Sequence, residues 1–282
     1  MSLRVGVIGL GLMGSGIAEV CARAGHPVRV VETDADALAA GLDRVRTSLA
    51  RGVERGKLTA AQADAATALI VGGTDLADLA DCEIVIEAAS ENEGLKLDLF
   101  RRLDAVVTDP RAILASNTSA IPISKLAAAT GDPGRVIGLH FFNPAPVMQL
   151  VEVIRAIRTG DETAERAEEF VHGLGKTAVA APDRAGFIVN ALLVPYLLAG
   201  IRMVESGHAS AEDIDTAMRL GCAHPMGPLQ LADLAGLDTV AGAASSLHRE
   251  YGEPLYAPPP LLLRMVEAGL LGRKSGRGFY EY

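Results

Sequence analysis

Near the start of the chain, Gly9, Gly11 and Gly14 form a G-x-G-x-x-G directly after the apolar run Val5–Ile8. That spacing suits phosphate binding. The first glycine permits a tight turn, the second lets the backbone approach a pyrophosphate, and the third allows a helix to pack closely on its strand. A helix opening at Leu12 and Met13 would aim unpaired N–H groups and a positive dipole end at the phosphates. A second strand-like run ends at Glu32, 18 residues after Gly14. An acid there accepts hydrogen bonds from adenosine ribose hydroxyls and repels a 2′-phosphate, which favours NAD over NADP. Thr33 and Asp34 are neighbouring residues able to take the same place.

These residues need strands and helices to hold them. Arg4–Ile8, Val28–Val31, Glu83–Ile86, Ala112–Ala115, Val136–Leu139 and Leu150–Ile154 read as strands. Several are continuous Val/Ile/Leu runs, as expected where both faces of a parallel sheet are covered. Helical stretches such as Gly16–Ala24 and Lys96–Val106 lie between them. The alternation predicts an α/β, Rossmann-type, doubly wound and mainly parallel sheet. Residues 34–70 read as a helical insertion, a pair broken near Gly56–Thr59. Beyond Asp183 the pattern is almost wholly helical, with Gly207 ending one helix and Ser210-x-x-Asp213 opening the next. A strand-like pattern returns only at Gly278–Tyr282. The expected domains are therefore 1–182, for the dinucleotide, and 183–282, an all-α C-terminal domain.

Composition narrows the function classes. With 49% hydrophobic and 22% charged residues, 282 residues can bury a sizeable core. A net charge of −9 argues against a general nucleic-acid binder. Cys21, Cys82 and Cys222 are far apart with no CxxC, so neither a disulfide framework nor a metal site is expected. Free thiols fit a reducing cytoplasm. The N-terminal run is interrupted by glycines and lacks an AxA-type cleavage site, so it does not read as a secretory signal. Gly186–Val204 is the stretch closest to membrane-spanning length, but it contains Asn190, Pro195 and Arg202. It reads as a helix buried in the protein or in a dimer interface rather than as a membrane span.

Further segments carry a resemblance: GLGLMGSGIAE, VIEAASENEGLK, ILASNTSAI, GLHFFNPAPVMQLVEVI, GFIVNALL, HPMGPLQLADLAGLD and GRKSGRGFY. In order and spacing the chain resembles, nearly end to end, the L-3-hydroxyacyl-CoA dehydrogenase family. That resemblance implies reversible oxidation of an (S)-3-hydroxyacyl-CoA, short-chain in the bacterial members most similar to it, with NAD as cofactor. It also implies a His140–Glu152 catalytic dyad. The chemistry suits these residue types: an imidazole can take the hydroxyl proton as hydride leaves the same carbon. A carboxylate on its other nitrogen fixes the tautomer and stabilises the imidazolium.

The resemblance further implies that Ser119 and Asn190 orient the reacting oxygens. A turn or helix-cap hydroxyl and an interhelical hydrogen bond are the plain alternatives. Asn190 falls in the most apolar helical segment, where an unpaired amide is costly. Glu91, Lys96, Asn143 and Lys274 match NAD-contacting positions of the family. Ser48 and Arg55 match CoA-contacting ones, as does Ser119. Ser48 and Arg55 lie in Asp43–Lys57, which carries five positive and two negative residues. Departures are Glu32 for a usual aspartate, Ala120 for a serine, Gln149 for a lysine, Ala191 for an arginine, and Arg55 for a lysine. None removes a catalytic group, but they leave open an acyl-carrier-protein-bound or free hydroxy acid as substrate. Because dehydrogenase folds are reused in silent proteins, the non-enzyme reading is a catalytically silent NAD-binding or structural protein. The apolar C-terminal region resembles the family's dimerisation domain and implies a homodimer.

Overall fold

The computed structural model describes residues 2–282 as two compact units, one ending at Asp183 and the other spanning Arg184–Tyr282. In the first unit, β1 (Val5–Ile8), β2 (Val28–Val31), β3 (Ile70–Gly73), β4 (Ile84–Glu87), β5 (Ile113–Ser116), β6 (Val136–Phe141), β7 (Leu150–Arg155) and β8 (Thr177–Pro182) form one sheet. Its order is β3-β2-β1-β4-β5-β6-β7-β8. All neighbours pair in parallel except β6 and β7, which run antiparallel. The central strands are buried along their length, matching their unbroken apolar sequences.

Two edge strands escape sequence reading. β3 (IVGG) and β8 (TAVAAP) are largely exposed, so neither needs the apolar run that marks a buried strand. Ile70, expected to close the helical insertion, begins β3 instead. The strand expected at Gly278–Tyr282 is absent. Only isolated bridges, Gly272 to Arg277 and Arg277 to Glu281, form there.

α1 (Leu12–Arg23) follows the glycine turn, and α2 (Ala35–Glu54) and α3 (Ala60–Ala68) make up the insertion. Asp34 caps α2 by accepting from Ala37 N–H, and Thr59 with Gln62 forms a capping box on α3. α4 (Glu93–Val106), α5 (Ile123–Ala127) and α6 (Asp161–Gly173) complete the unit. Asp183 accepts from Ile123 N–H (2.7 Å), Ser124 N–H (2.7 Å) and Ser124 Oγ–H (2.6 Å), capping α5. Those bonds tie Asp183 to the first unit, although the sequence pattern placed it in the second.

The second unit comprises α7 (Val189–Glu205), α8 (Ala211–Gly221), α9 (Pro228–Ala235), α10 (Leu237–Tyr251) and α11 (Pro260–Glu267) around Leu197, Leu198, Ile201, Leu229 and Leu247. Ser210 caps α8. Asp215 and Asp233 are buried and satisfied. Asp215 accepts from Leu229 and Gln230 N–H at the start of α9, and Asp233 from Phe279 and Tyr280 N–H. Among the described residues, no helix is long and apolar enough to cross a membrane.

Candidate active site

The glycine turn is built as its spacing requires. Gly9 sits at φ +83°, and a Cβ on Gly14 would lie 1.7 Å from the Gly9 carbonyl oxygen. A Cβ on Gly11 would meet nothing within 4 Å. Folding therefore demands glycine at 9 and 14, whereas at 11 the space lies open for a ligand. Gly11 also precedes α1 without a side-chain cap, so the N–H groups around Leu12 and Met13 face outward for an anion. Glu32 accepts from Leu10 N–H (2.5 Å) and Thr33 N–H (3.1 Å), and Arg44 donates to the Leu10 carbonyl (2.9 Å). Beside Glu32 lies a cavity of about 280 Å³ walled by Leu76, Leu95, Leu99 and Arg102. An open Gly11, a helix N-terminus, an acid at the end of β2 and an apolar cavity together fit a dinucleotide with its adenosine end at Glu32.

His140 and Glu152 are direct partners in the β6–β7 register. Neighbouring side chains on one face of an antiparallel pair meet without any loop having to place them. His140 Nδ1 lies 2.7 Å from Glu152 Oε2, with the two residues 6% and 0% exposed. A carboxylate only accepts, so Nδ1 carries the proton and Nε2 the lone pair of the neutral ring. Phe142 packs on the imidazole, with ring centroids 4.5 Å apart. The hairpin between the strands is held by Lys176, whose buried Nζ donates to the Ala145 (2.7 Å) and Met148 (2.6 Å) carbonyls. Burial, and after it the nearby Arg23 charge, push this ammonium below the usual lysine range.

Ser119 lies in the loop after β5, the strand next to β6. Glu91 Oε1 gathers that loop, accepting from Thr118 Oγ–H (2.5 Å), Ser119 N–H (3.0 Å) and Ala120 N–H (3.2 Å). Asn117 Oδ1 accepts from Phe141 N–H (2.8 Å), which fastens the loop to the residue after His140. Gly9, Gly11, Gly14, Glu32, Glu91, Lys96, Ser119, His140 and Glu152 thus belong to one unit, most of them at or just beyond the carboxyl ends of β1, β2, β4, β5 and β6.

Ser48, Arg55 and Asn143 belong to the same unit, and Asn190 and Lys274 to the second. Lys96 is 1% exposed, with Nζ 2.6 Å from Glu87 Oε1 and 3.3 Å from Glu91 Oε2. Asn143 is exposed and precedes Pro144 through a cis peptide bond. Ser48 lies partly exposed on α2, and Arg55 is the exposed C-cap of that helix. Asn190 occupies the first turn of α7, partly exposed. Lys274 pairs with Asp238, Nζ to Oδ1 at 2.5 Å. Burial pushes the Cys21 and Cys82 thiols up to about 12, so neither supplies a thiolate near neutral pH.

Sequence reading did not single out Arg44, Glu87, Ser116, Asn117 or Arg102. Asn117 and Ser116 stood inside the SNTSA segment, and Glu87 inside VIEAAS. A polar residue ending a buried strand was the available signal.

Residues 4–184 match the family model for the 3-hydroxyacyl-CoA dehydrogenase NAD binding domain, and residues 186–282 match that for the 3-hydroxyacyl-CoA dehydrogenase C-terminal domain. The chain is 58% identical over 280 residues to a 3-hydroxybutyryl-CoA dehydrogenase of Mycobacterium tuberculosis, covering 99% of this chain and 98% of that protein. It is 44% identical over 285 residues to the mitochondrial hydroxyacyl-coenzyme A dehydrogenase of Homo sapiens, covering 99% and 90%. The crystal structure of (S)-3-hydroxybutyryl-CoA dehydrogenase from Ralstonia eutropha superposes with a TM-score of 0.95 at 45% identity, covering 100% and 99% of the two chains. Both units match in order, and the chain belongs to the 3-hydroxyacyl-CoA dehydrogenase family of NAD-dependent oxidoreductases.

Proposed function

We propose that the chain interconverts (S)-3-hydroxybutyryl-CoA and acetoacetyl-CoA. The observation that carries the chemistry is the buried His140–Glu152 pair at 2.7 Å. NAD, when bound, accepts the hydride that leaves C3 of the substrate. His140 Nε2 takes the hydroxyl proton as the C3–O bond becomes a carbonyl. Glu152, bonded to Nδ1, holds the ring in the accepting tautomer and stabilises the imidazolium that results. In the reductive direction the imidazolium returns the proton to the carbonyl oxygen. Ser119 and Asn190 orient the oxygens of the substrate in this reading.

The N–H groups around Leu12 and Met13 would hold the pyrophosphate and Glu32 the ribose, with Glu91, Lys96, Asn143 and Lys274 as further contacts to the cofactor. Ser48 and Arg55 would meet the CoA end, where Arg55 can pair bidentately with phosphate. We also infer a homodimer formed through the second unit, supported by the exposed apolar Leu192 and Met203 on α7. A cytoplasmic setting is supported by three free thiols.

The reading is tested with (S)- and (R)-3-hydroxybutyryl-CoA and NAD, following NADH absorbance. NADH is expected from the (S) thioester alone. No NADH from either enantiomer would reject the reaction.

A further inference from the structure

Glu87 is a buried acid with no part in the hydride or proton transfer just described. It ends β4 at 0% exposure, and both of its oxygens are committed. Oε1 accepts from Lys96 Nζ (2.6 Å) and Ala89 N–H (2.7 Å). Oε2 accepts from Ser116 Oγ–H (2.6 Å). The partners lead to one place. Ser116 Oγ accepts from Thr118 N–H (3.2 Å), inside the loop that carries Ser119. Lys96 Nζ also lies 3.3 Å from Glu91 Oε2. The other oxygen of Glu91 receives Thr118 Oγ–H and the N–H groups of Ser119 and Ala120.

Glu87 therefore grips the Ser119 loop twice, through Ser116 on one side and through Lys96 and Glu91 on the other. Lys96, Ser116 and Thr118 are each 1% exposed or less, so water does not compete for the bonds of Lys96 and Ser116 to Glu87, whereas the Glu91 side chain is 41% exposed. A simple ion pair tying α4 to β4 would need neither the Ser116 bond nor the shared position of Lys96 between two acids.

We propose that Glu87 is a positioning residue for Ser119, setting its place through Ser116 and through the division of the Lys96 ammonium between Glu87 and Glu91. The proposal rests on Ser119 orienting the substrate oxygen. With a neutral group at position 87, Lys96 keeps one anion, Glu91. The ammonium then competes with Thr118, Ser119 and Ala120 for that carboxylate, and the loop shifts. A displacement on the order of 1 Å at a substrate-orienting group costs up to about 10²-fold in rate.

The test is a double-mutant cycle of Glu87→Gln and Ser119→Ala, read as kcat for acetoacetyl-CoA reduction at saturating NADH. Glu87→Gln is expected to lower kcat, read at saturating NADH, by about tenfold or more. The double variant is expected within about threefold of Ser119→Ala alone, because residues acting through one another are not additive. General loosening of the fold would instead multiply the two losses. Removing one partner of a buried ion pair can unfold a protein. If Glu87→Gln does not fold, Ser116→Ala takes its place in the same cycle, with the same pattern expected at smaller amplitude. Multiplying losses, an unchanged kcat in the position-87 or position-116 variant, or full activity in Ser119→Ala each overturns the proposal. Wild-type protein run alongside separates the two levels: no turnover there removes the proposed reaction and this inference together, whereas wild-type turnover with multiplying losses removes Glu87 alone.

Discussion

His140 and Glu152 face each other across the antiparallel pair of an otherwise parallel sheet, Nδ1 to Oε2 at 2.7 Å. The reversal of β7 is what creates this pair. A strand running the other way returns Glu152 to the imidazole without any long-range loop. Because the contact is cross-strand and buried, its geometry is as rigid as the sheet. Glu152→Gln keeps the shape but replaces a carboxylate with an amide that stabilises an imidazolium poorly. A fall in kcat of about 10²–10⁴-fold is expected, with circular dichroism unchanged. A loss below about threefold would mean that Glu152 is only a packing residue.

The three glycines of the turn separate folding from binding. Gly14→Ala puts a Cβ 1.7 Å from a backbone oxygen, so severe destabilisation is expected. Gly11→Ala meets no atom of the protein within 4 Å, so the melting temperature should hold. NADH should bind about tenfold more weakly or worse, a loss of about 1.4 kcal/mol or more. Thermal melts and fluorescence titrations of the two variants give the contrast. Equal NADH affinity in Gly11→Ala and wild type would place the phosphates elsewhere.

Arg55 is exposed at the end of α2, in the cation-rich stretch of an acidic protein. Arg55→Glu should raise KM for acetoacetyl-CoA by about tenfold, from a lost charge-assisted contact. It should leave kcat and the KM for NADH nearly unchanged. Increasing salt should narrow the difference from wild type. An unaltered KM would remove Arg55 from the CoA contacts.

His26 gives a pH signature. Its Nδ1 accepts from Leu3 N–H (2.9 Å), and burial lowers its pKa below the usual histidine value. A depressed folded pKa means that the contribution of this residue is fully present above about pH 6.5, the unfolded value, and is lost as pH falls toward the folded one. A His26→Gln side chain can still accept from Leu3 but does not titrate. The advantage of wild type over this variant in thermal melts should shrink between about pH 6.5 and pH 5. A constant difference across that range would show that His26 does not titrate with folding.

Asp183 caps α5 with both carboxylate oxygens. Asp183→Ala should cost about 1–3 kcal/mol, the scale of a lost cap and stranded N–H donors. Urea denaturation measures it directly. A change under about 0.5 kcal/mol would mean that water replaces the cap.

What the sequence disclosed follows from how each feature is encoded. The glycine turn is local, because spacing alone imposes φ > 0 at Gly9 and close packing at Gly14. Buried strands such as β4 and β6 announce themselves as continuous apolar runs. The edge strands β3 and β8 do not, since half-exposed positions accept glycine, threonine and alanine. His140 and Glu152 stood out through the family resemblance, but their direct opposition depends on β7 running antiparallel, which no local pattern states. Lys96 matched a cofactor position, yet its burial between Glu87 and Glu91 depends on residues from two other segments. Asn190 has apolar neighbours in sequence, but its place in the first turn of α7, partly exposed, depends on where that helix begins. Long-range pairing was the part hidden from a single sequence.

In the proposed reaction His140 transfers the proton in a hydride exchange between NADH and a 3-oxoacyl thioester. Single-turnover oxidation of enzyme-bound NADH by acetoacetyl-CoA, in wild type and His140→Ala, isolates that step. Rapid loss of NADH absorbance is expected in wild type, with a rate about 10²–10⁴-fold lower in the variant and NADH affinity retained. Equal rates in the two proteins, or no reaction in wild type, would contradict it.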